Sequence, residues 1–141
     1  MAEIGFSGMD DLLFSMEELA KIPEEVQDAM LNAQADVVVQ AQKRSARTYG
    51  VEETGEMIRS IKKGRVKRGK GGERVIYVTP TGTRKRGNTT TRNAEIAFTN
   101  EYGTRDQPAR PFIRDANETS AKETTEAGAE VFYNWQEKSG L

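Results

Sequence analysis

The chain has 141 residues, carries 21 basic and 22 acidic side chains, and contains no Cys and no His. Its length suits one domain, spanning residues 1–141. The missing residue types exclude disulfides, thiolate zinc sites, Ser-His-Asp and Cys-His catalysis, and the commonest general base and metal ligand. Leu, Ile, Val and Phe number 26, about 18%, just under the ~20% at which a highly charged chain stays unfolded. With the charges nearly balanced, the expectation is a folded domain with a thin core that a partner surface completes.

The balance hides a segregated pattern. Residues 1–58 carry 4 basic and 12 acidic side chains, residues 59–92 carry 12 against one, and residues 93–141 carry 5 against 9. A basic middle between acidic ends points to contact with phosphates or with acidic surfaces on neighbouring chains. No apolar run approaches the ~18 residues of a membrane-crossing helix. The acidic N-terminus lacks a signal-peptide core, and with Cys also absent a soluble protein kept in a reducing compartment is expected.

In chain order, Leu12, Leu13, Met16, Leu19 and Ala20 fall on one stripe, predicting a short helix over residues 8–20. Pro23 suits a first helical position, followed by Glu24 and Glu25 against the helix dipole. Val26, Ala29, Met30, Ala33, Val37, Val38 and Ala41 continue an i, i+3, i+4, i+7 series. They predict a long amphipathic helix over residues 23–47. Thr54 is placed as the N-cap of a short helix over 55–60. Residues 61–68 and 73–79 predict strands around the turn Gly69-Lys70-Gly71-Gly72. Residues 80–92 read as a polar, basic loop, and residues 94–99 as a third strand. After the turn Pro108-Ala109-Arg110-Pro111, the stripe Phe112, Ile113, Ala116, Ser120, Ala127, Val131 and Trp135 predicts one last helix over 111–137. Small residues weaken its middle.

The fold class expected is α+β, with the long N-terminal and C-terminal helices packed on a small antiparallel sheet. A basic hairpin and loop over about 61–92 protrudes from it and is mobile in the free chain. Its contact residues are Lys62, Lys63, Arg65, Lys67, Arg68, Lys70, Arg84, Lys85, Arg86 and Arg92.

Chemistry-bearing patterns are sparse. The stretch from Gly64 to Lys70 has the spacing of a phosphate-binding loop, but Gly71 stands where the motif needs Ser or Thr, and a hairpin turn explains it. The acid pairs Asp10–Asp11 and Glu52–Glu53 read as solvated residues. Arg105, Arg110 and Arg114 surround the proline turn, with Asp106 and Asp115 as expected local ion partners. No catalytic, cofactor or metal site is expected.

Three motifs in order carry a resemblance. They are Gly8-Met9-Asp10-Asp11-Leu12-Leu13, then Thr54-Gly55-Glu56-Met57-Ile58-Arg59-Ser60-Ile61, and Glu101-Tyr102-Gly103-Thr104 followed by Pro108-Ala109-Arg110-Pro111-Phe112. The chain resembles the head–tail joining, or tail-completion, proteins of the neck of long-tailed bacteriophages. The family's proline after the long helix is missing here, Tyr102 replaces its usual Phe, and Asp115 stands where a second proline is common. The resemblance implies a structural virion protein without enzymatic activity, assembled in the host bacterial cytoplasm. It implies a ring, a hexamer, at the head-proximal end of the tail; the low content of large aliphatics and the opposed charge blocks add the expectation of a chain that is monomeric or marginal in isolation. Its partners would be further copies of itself, the head connector or head-closure protein, the tail tube protein and DNA passing through the lumen, with no membrane. Two other readings stay open at this level: a tail-tube terminator, and a nucleic-acid-binding module using the basic hairpin.

Overall fold

A computed structural model describes residues 3–6, 12–15, 21–51 and 55–139. The fold is α+β, and the described elements divide into two compact units. One comprises residues 1–37, 65–77 and 120–141, and the other residues 38–64 and 78–119. The long helix α1 (Glu24–Tyr49) contributes to both.

In the first unit, β1 (Glu3–Phe6) pairs antiparallel with β2 (Leu12–Ser15). Within the helix expected over 8–20, residues 12–15 are therefore a strand, and the rest of that span lies outside the described residues. An apolar run as short as Leu12-Leu13-Phe14 has no periodicity that separates helix from strand. Helix α1 opens as its Pro23 and two glutamates predict, with the Pro23 carbonyl accepting from the N–H groups of Val26 and Gln27. Its apolar stripe meets α5 (Ala121–Ser139), where Ile22, Met30 and Phe132 form a small core joined by Val26, Val131 and Trp135. The thin middle of the C-terminal stripe has a packing reason. Gly128 is buried against Gln34 of α1, whose side-chain nitrogen a Cβ on residue 128 would approach to 2.7 Å.

Also in this unit, β4 (Lys67–Arg68) pairs with β5 (Arg74–Val75). The pair is tied to α1. Arg74 forks onto Asp28 through Nε at 2.5 Å and Nη2 at 2.9 Å, and Arg68 reaches Glu24 at 3.4 Å. The Asp28 hydrogen bond raises the Arg74 pKa further above its ordinary value. The segment expected to project freely is here anchored to a helix by bidentate charge-assisted bonds.

The second unit holds the larger core. Helix α2 (Glu56–Arg59), β3 (Ile61–Lys63), β6 (Val78–Pro80), α3 (Asn93–Tyr102) and α4 (Phe112–Thr119) surround it. Phe112, Met57 and Ile61 are completely buried there, with Val39, Ala46, Val51, Ile58 and Ala97. β3 pairs antiparallel with β6.

Three expectations change in this unit. Residues 93–102 are a helix, not a third strand: Asn93, Ala97, Asn100 and Glu101 are the buried positions, a spacing of four, three and one that only a helix puts on one face. The loop expected over 80–92 contains a hairpin, β7 (Thr83–Arg86) with β8 (Thr89–Arg92), joined by Gly87-Asn88. Gly87 sits at φ +65°, the conformation a two-residue hairpin needs at its first central position. The single C-terminal helix is two, α4 and α5, separated at Ser120. Instead of one small three-stranded sheet, the described strands form four two-stranded ladders.

Candidate functional site: a clasp and a basic face

The second unit concentrates the features the sequence singles out. Helix α3 ends at Tyr102, and Gly103 turns the chain at φ +77°, ψ 175°, a region essentially reserved for glycine. Thr104 and Gln107 then exchange backbone hydrogen bonds at 2.8 and 3.3 Å, closing a tight loop that returns residues 108–112 to α3. The Arg110 N–H donates to the Asn100 carbonyl at 2.6 Å, and the Gln107 amide donates to Asn100 Oδ1 at 3.1 Å.

Glu101 completes the clasp. Its buried carboxylate accepts from the N–H of Ile113 at 2.7 Å and of Arg114 at 3.3 Å, two of the unpaired amides that open α4. An acid at a helix N-terminus satisfies orphan donors and opposes the positive end of the dipole. The sequence marks Glu101 as a motif residue but does not reveal this role, because its partners lie 12 and 13 positions away. Pro111 helps in turn: its carbonyl accepts from Asp115 N–H at 3.0 Å. Pro108 and Thr104 are exposed on the loop.

The other motif supplies Met57, Ile58 and Ile61 to the same core. Gly55 occupies the N-cap position of α2, with no side-chain cap, while Thr54, expected in that role, lies outside the described residues. The Ser60 hydroxyl donates to the Met57 carbonyl at 2.6 Å, and the Ser60 carbonyl accepts from both N–H and hydroxyl of Thr81 at 2.9 Å. Ser60 thus joins α2 to the segment entering β7.

The arginines near the proline turn do not pair with the local acids. Arg110 donates to the Gly50 carbonyl at 3.1 Å, and Asp115 accepts from the Tyr49 hydroxyl. That hydrogen bond to a carboxylate raises the Tyr49 pKa above its ordinary 10.0. Folding therefore favours the neutral phenol. The stabilisation is fully present below pH ~10 and is lost as pH rises through the higher folded-state value. Urea melts of the protein and of Tyr49→Phe are expected to differ at pH ~8 and to converge once the pH passes that folded-state value.

The ten basic residues expected to act together are divided by the fold. Arg65, Lys67, Arg68 and Lys70 belong to the first unit, and Lys62, Lys63, Arg84, Lys85, Arg86 and Arg92 to the second. Two of the latter are held by acids. Arg84, with its side chain only 14% exposed, meets Glu56 at 3.4 Å, and Arg92 meets Glu95 at 3.2 Å. Lys62 and Lys85 are exposed and make no ion pair among the described residues. Beside the β7–β8 hairpin an open groove of about 1010 Å³ is lined by Arg84, Lys85, Glu95, Gln107 and Arg110. Counted over whole units, the first has 8 basic and 14 acidic residues, a net of −6, and the second 13 and 8, a net of +5. The three charge blocks of the sequence become two units of opposite sign.

A protein-family model described as "Bacteriophage HK97-gp10, putative tail-component" matches residues 10–101. The chain belongs to this family. It is a phage tail component, in agreement with the resemblance carried by the motifs, and so a structural part of the virion. The match covers β2 to β8, α1, α2 and α3 as far as Glu101. The Gly103–Phe112 return of this tail component lies beyond it and rests on the geometry above. No curated protein and no solved structure matches the chain. Among the described residues, no helix of the tail component is long and apolar enough to cross a membrane.

Proposed function

We propose that this tail component is a non-enzymatic joining protein that forms a ring, a hexamer, at the head-proximal end of the tail. It binds the head connector or head-closure protein on one side and the tail tube on the other, and DNA passes through its lumen. The observation that carries the reading is the family match over 92 of 141 residues, which supports a role in the tail. The opposed net charges of the two units support assembly, because unlike patches on one chain allow a head-to-tail contact that closes into a ring. The absence of His and Cys from the sequence supports a structural rather than a catalytic role.

The exposed lysines supply the test. Arg84 is a poor target because it also anchors Glu56, whereas Lys62 and Lys85 are exposed. In the double variant Lys62→Glu/Lys85→Glu, tails are expected to form but to join heads at least ~10-fold less often, which corresponds to a loss of about 1.4 kcal/mol at the joint. Normal joining with altered DNA retention would mean that these lysines face the lumen. Unchanged joining and unchanged retention would count against the proposed surface.

A further inference from the structure

Four large hydrophobic side chains are exposed among the described residues, namely Tyr77 (61%), Phe98 (64%), Tyr102 (70%) and Tyr133 (39%). Phe98 and Tyr102 stand one turn apart on α3 with ring centroids 4.8 Å apart. They border an apolar groove of about 510 Å³ whose walls include Pro80, Ala97, Pro111 and Ile113. Arg114 also lines it, with Glu101, whose carboxylate is taken up by the α4 amides, and the exposed Glu118; the Arg114 side chain makes no ion pair among the described residues. An apolar groove with an aromatic pair at its mouth and a cation at its rim fits an aromatic side chain flanked by carboxylates.

Helix α5 carries that arrangement. Glu123, Glu126, Glu130, Tyr133 and Glu137 follow one another at spacings of three and four, which puts them on one stripe of the helix. The stripe adjoins the face that buries Gly128, Ala129 and Phe132, and the Tyr133 ring meets that of Phe132 edge-on at 5.6 Å. Glu130 and Glu137 lie within about one turn of Tyr133 on either side, and both are exposed without an ion pair among the described residues.

Resting on the ring reading above, we infer that Tyr133 of one copy seats in the Phe98–Tyr102 groove of the next copy, with Glu130 or Glu137 paired to Arg114. The occupant is a second copy because charge is complementary within one sequence: the groove belongs to the unit of net +5 and Tyr133 to the unit of net −6. In the ring proposed above each copy gives Tyr133 to one neighbour and its groove to the other, so there the contact is heterologous and propagates from copy to copy, whereas a reciprocal exchange would stop at a dimer. It gives three of these four aromatics, Phe98, Tyr102 and Tyr133, a use that a monomer lacks.

The chain has no Cys, so the introduced thiols are the only ones it carries. In assembled tails, an amine-reactive cross-linker reads whether copies adjoin, whichever surfaces meet. In tails built from Tyr102→Cys/Tyr133→Cys, oxidation is expected to give a disulfide ladder running beyond the dimer, while each single variant gives none. Adding Glu130→Arg and Glu137→Arg is expected to weaken the ladder, and Arg114→Glu to restore it. An amine ladder without a disulfide ladder in the doubly substituted tails would overturn this contact and leave the ring standing. Disulfide dimers formed by the single variant Tyr133→Cys, with no ladder from the double one, would do the same. Loss of both ladders would overturn the ring and the contact together.

Discussion

Phe112→Ala is expected to lower the unfolding free energy by about 3–5 kcal/mol. The ring is completely buried at the first position of α4 and touches a core contributed by α1, α2, β3 and α3. Truncation removes the transfer free energy of the ring and leaves a cavity that several separate elements would have to move to fill, hence the upper part of the large-to-small range. Urea melts should show a lower midpoint at unchanged slope. Phe98→Ala is the internal control: Phe98 is 64% exposed, and its loss should cost no more than about 0.5 kcal/mol. Similar costs for the two substitutions would contradict the placement of the core.

Gly103→Ala should be nearly as damaging, at about 3 kcal/mol or more, for a reason independent of apolar burial. The backbone at residue 103 sits where an L side chain is strained by ~1–3 kcal/mol. A Cβ there would also stand 2.7 Å from the Ala109 nitrogen and 2.8 Å from the Gln107 oxygen. Both neighbours are backbone atoms of the closed loop and cannot rotate away, so the loop must open and Arg110 loses its bond to Asn100. Gly50→Ala separates the two effects. Gly50 also has positive φ, +63°, but nothing lies within 4 Å of the added carbon, so only the ~1–2 kcal/mol conformational term should appear. Equal costs at the two glycines would mean that the close approach at residue 103 has no consequence for stability.

Residues 103 and 112 sit on a part of the molecule that is legible in the sequence. The long helix α1 declares itself through repeated apolar spacing over many turns, and Pro111 with Phe112 marks the entry to α4. Shorter elements are harder to read. Ala94 to Thr99 alternates well enough over six residues to pass for a strand, and only the burial of Asn93, Asn100 and Glu101 reveals the helix. Burying polar residues is what hydropathy cannot foresee. The β7–β8 hairpin is hidden for a related reason. Both its strands are Thr, Arg and Lys, so neither face is apolar, and the remaining signal is Gly87-Asn88 between the two polar runs.

The clasp shows the same division. Gly103, Pro111 and Phe112 signal their roles locally, by backbone freedom, fixed φ and bulk. Glu101 does not, because its function is to cap a helix 12 residues ahead. The basic residues are legible as a block in sequence, yet the fold divides them between two units and ties Arg68, Arg74, Arg84 and Arg92 to acids. Charge along a chain is a one-dimensional quantity, and pairing depends on which segments meet.

Cryo-electron microscopy of assembled tails is the most direct test of the proposed role. A closed ring of six copies is expected at the head-proximal end of the tail tube, with an open lumen and with the Tyr133 stripe of each copy against the Phe98–Tyr102 groove of the next. Tails in which this chain is absent from the head-proximal end, or present there as isolated single copies, would contradict it.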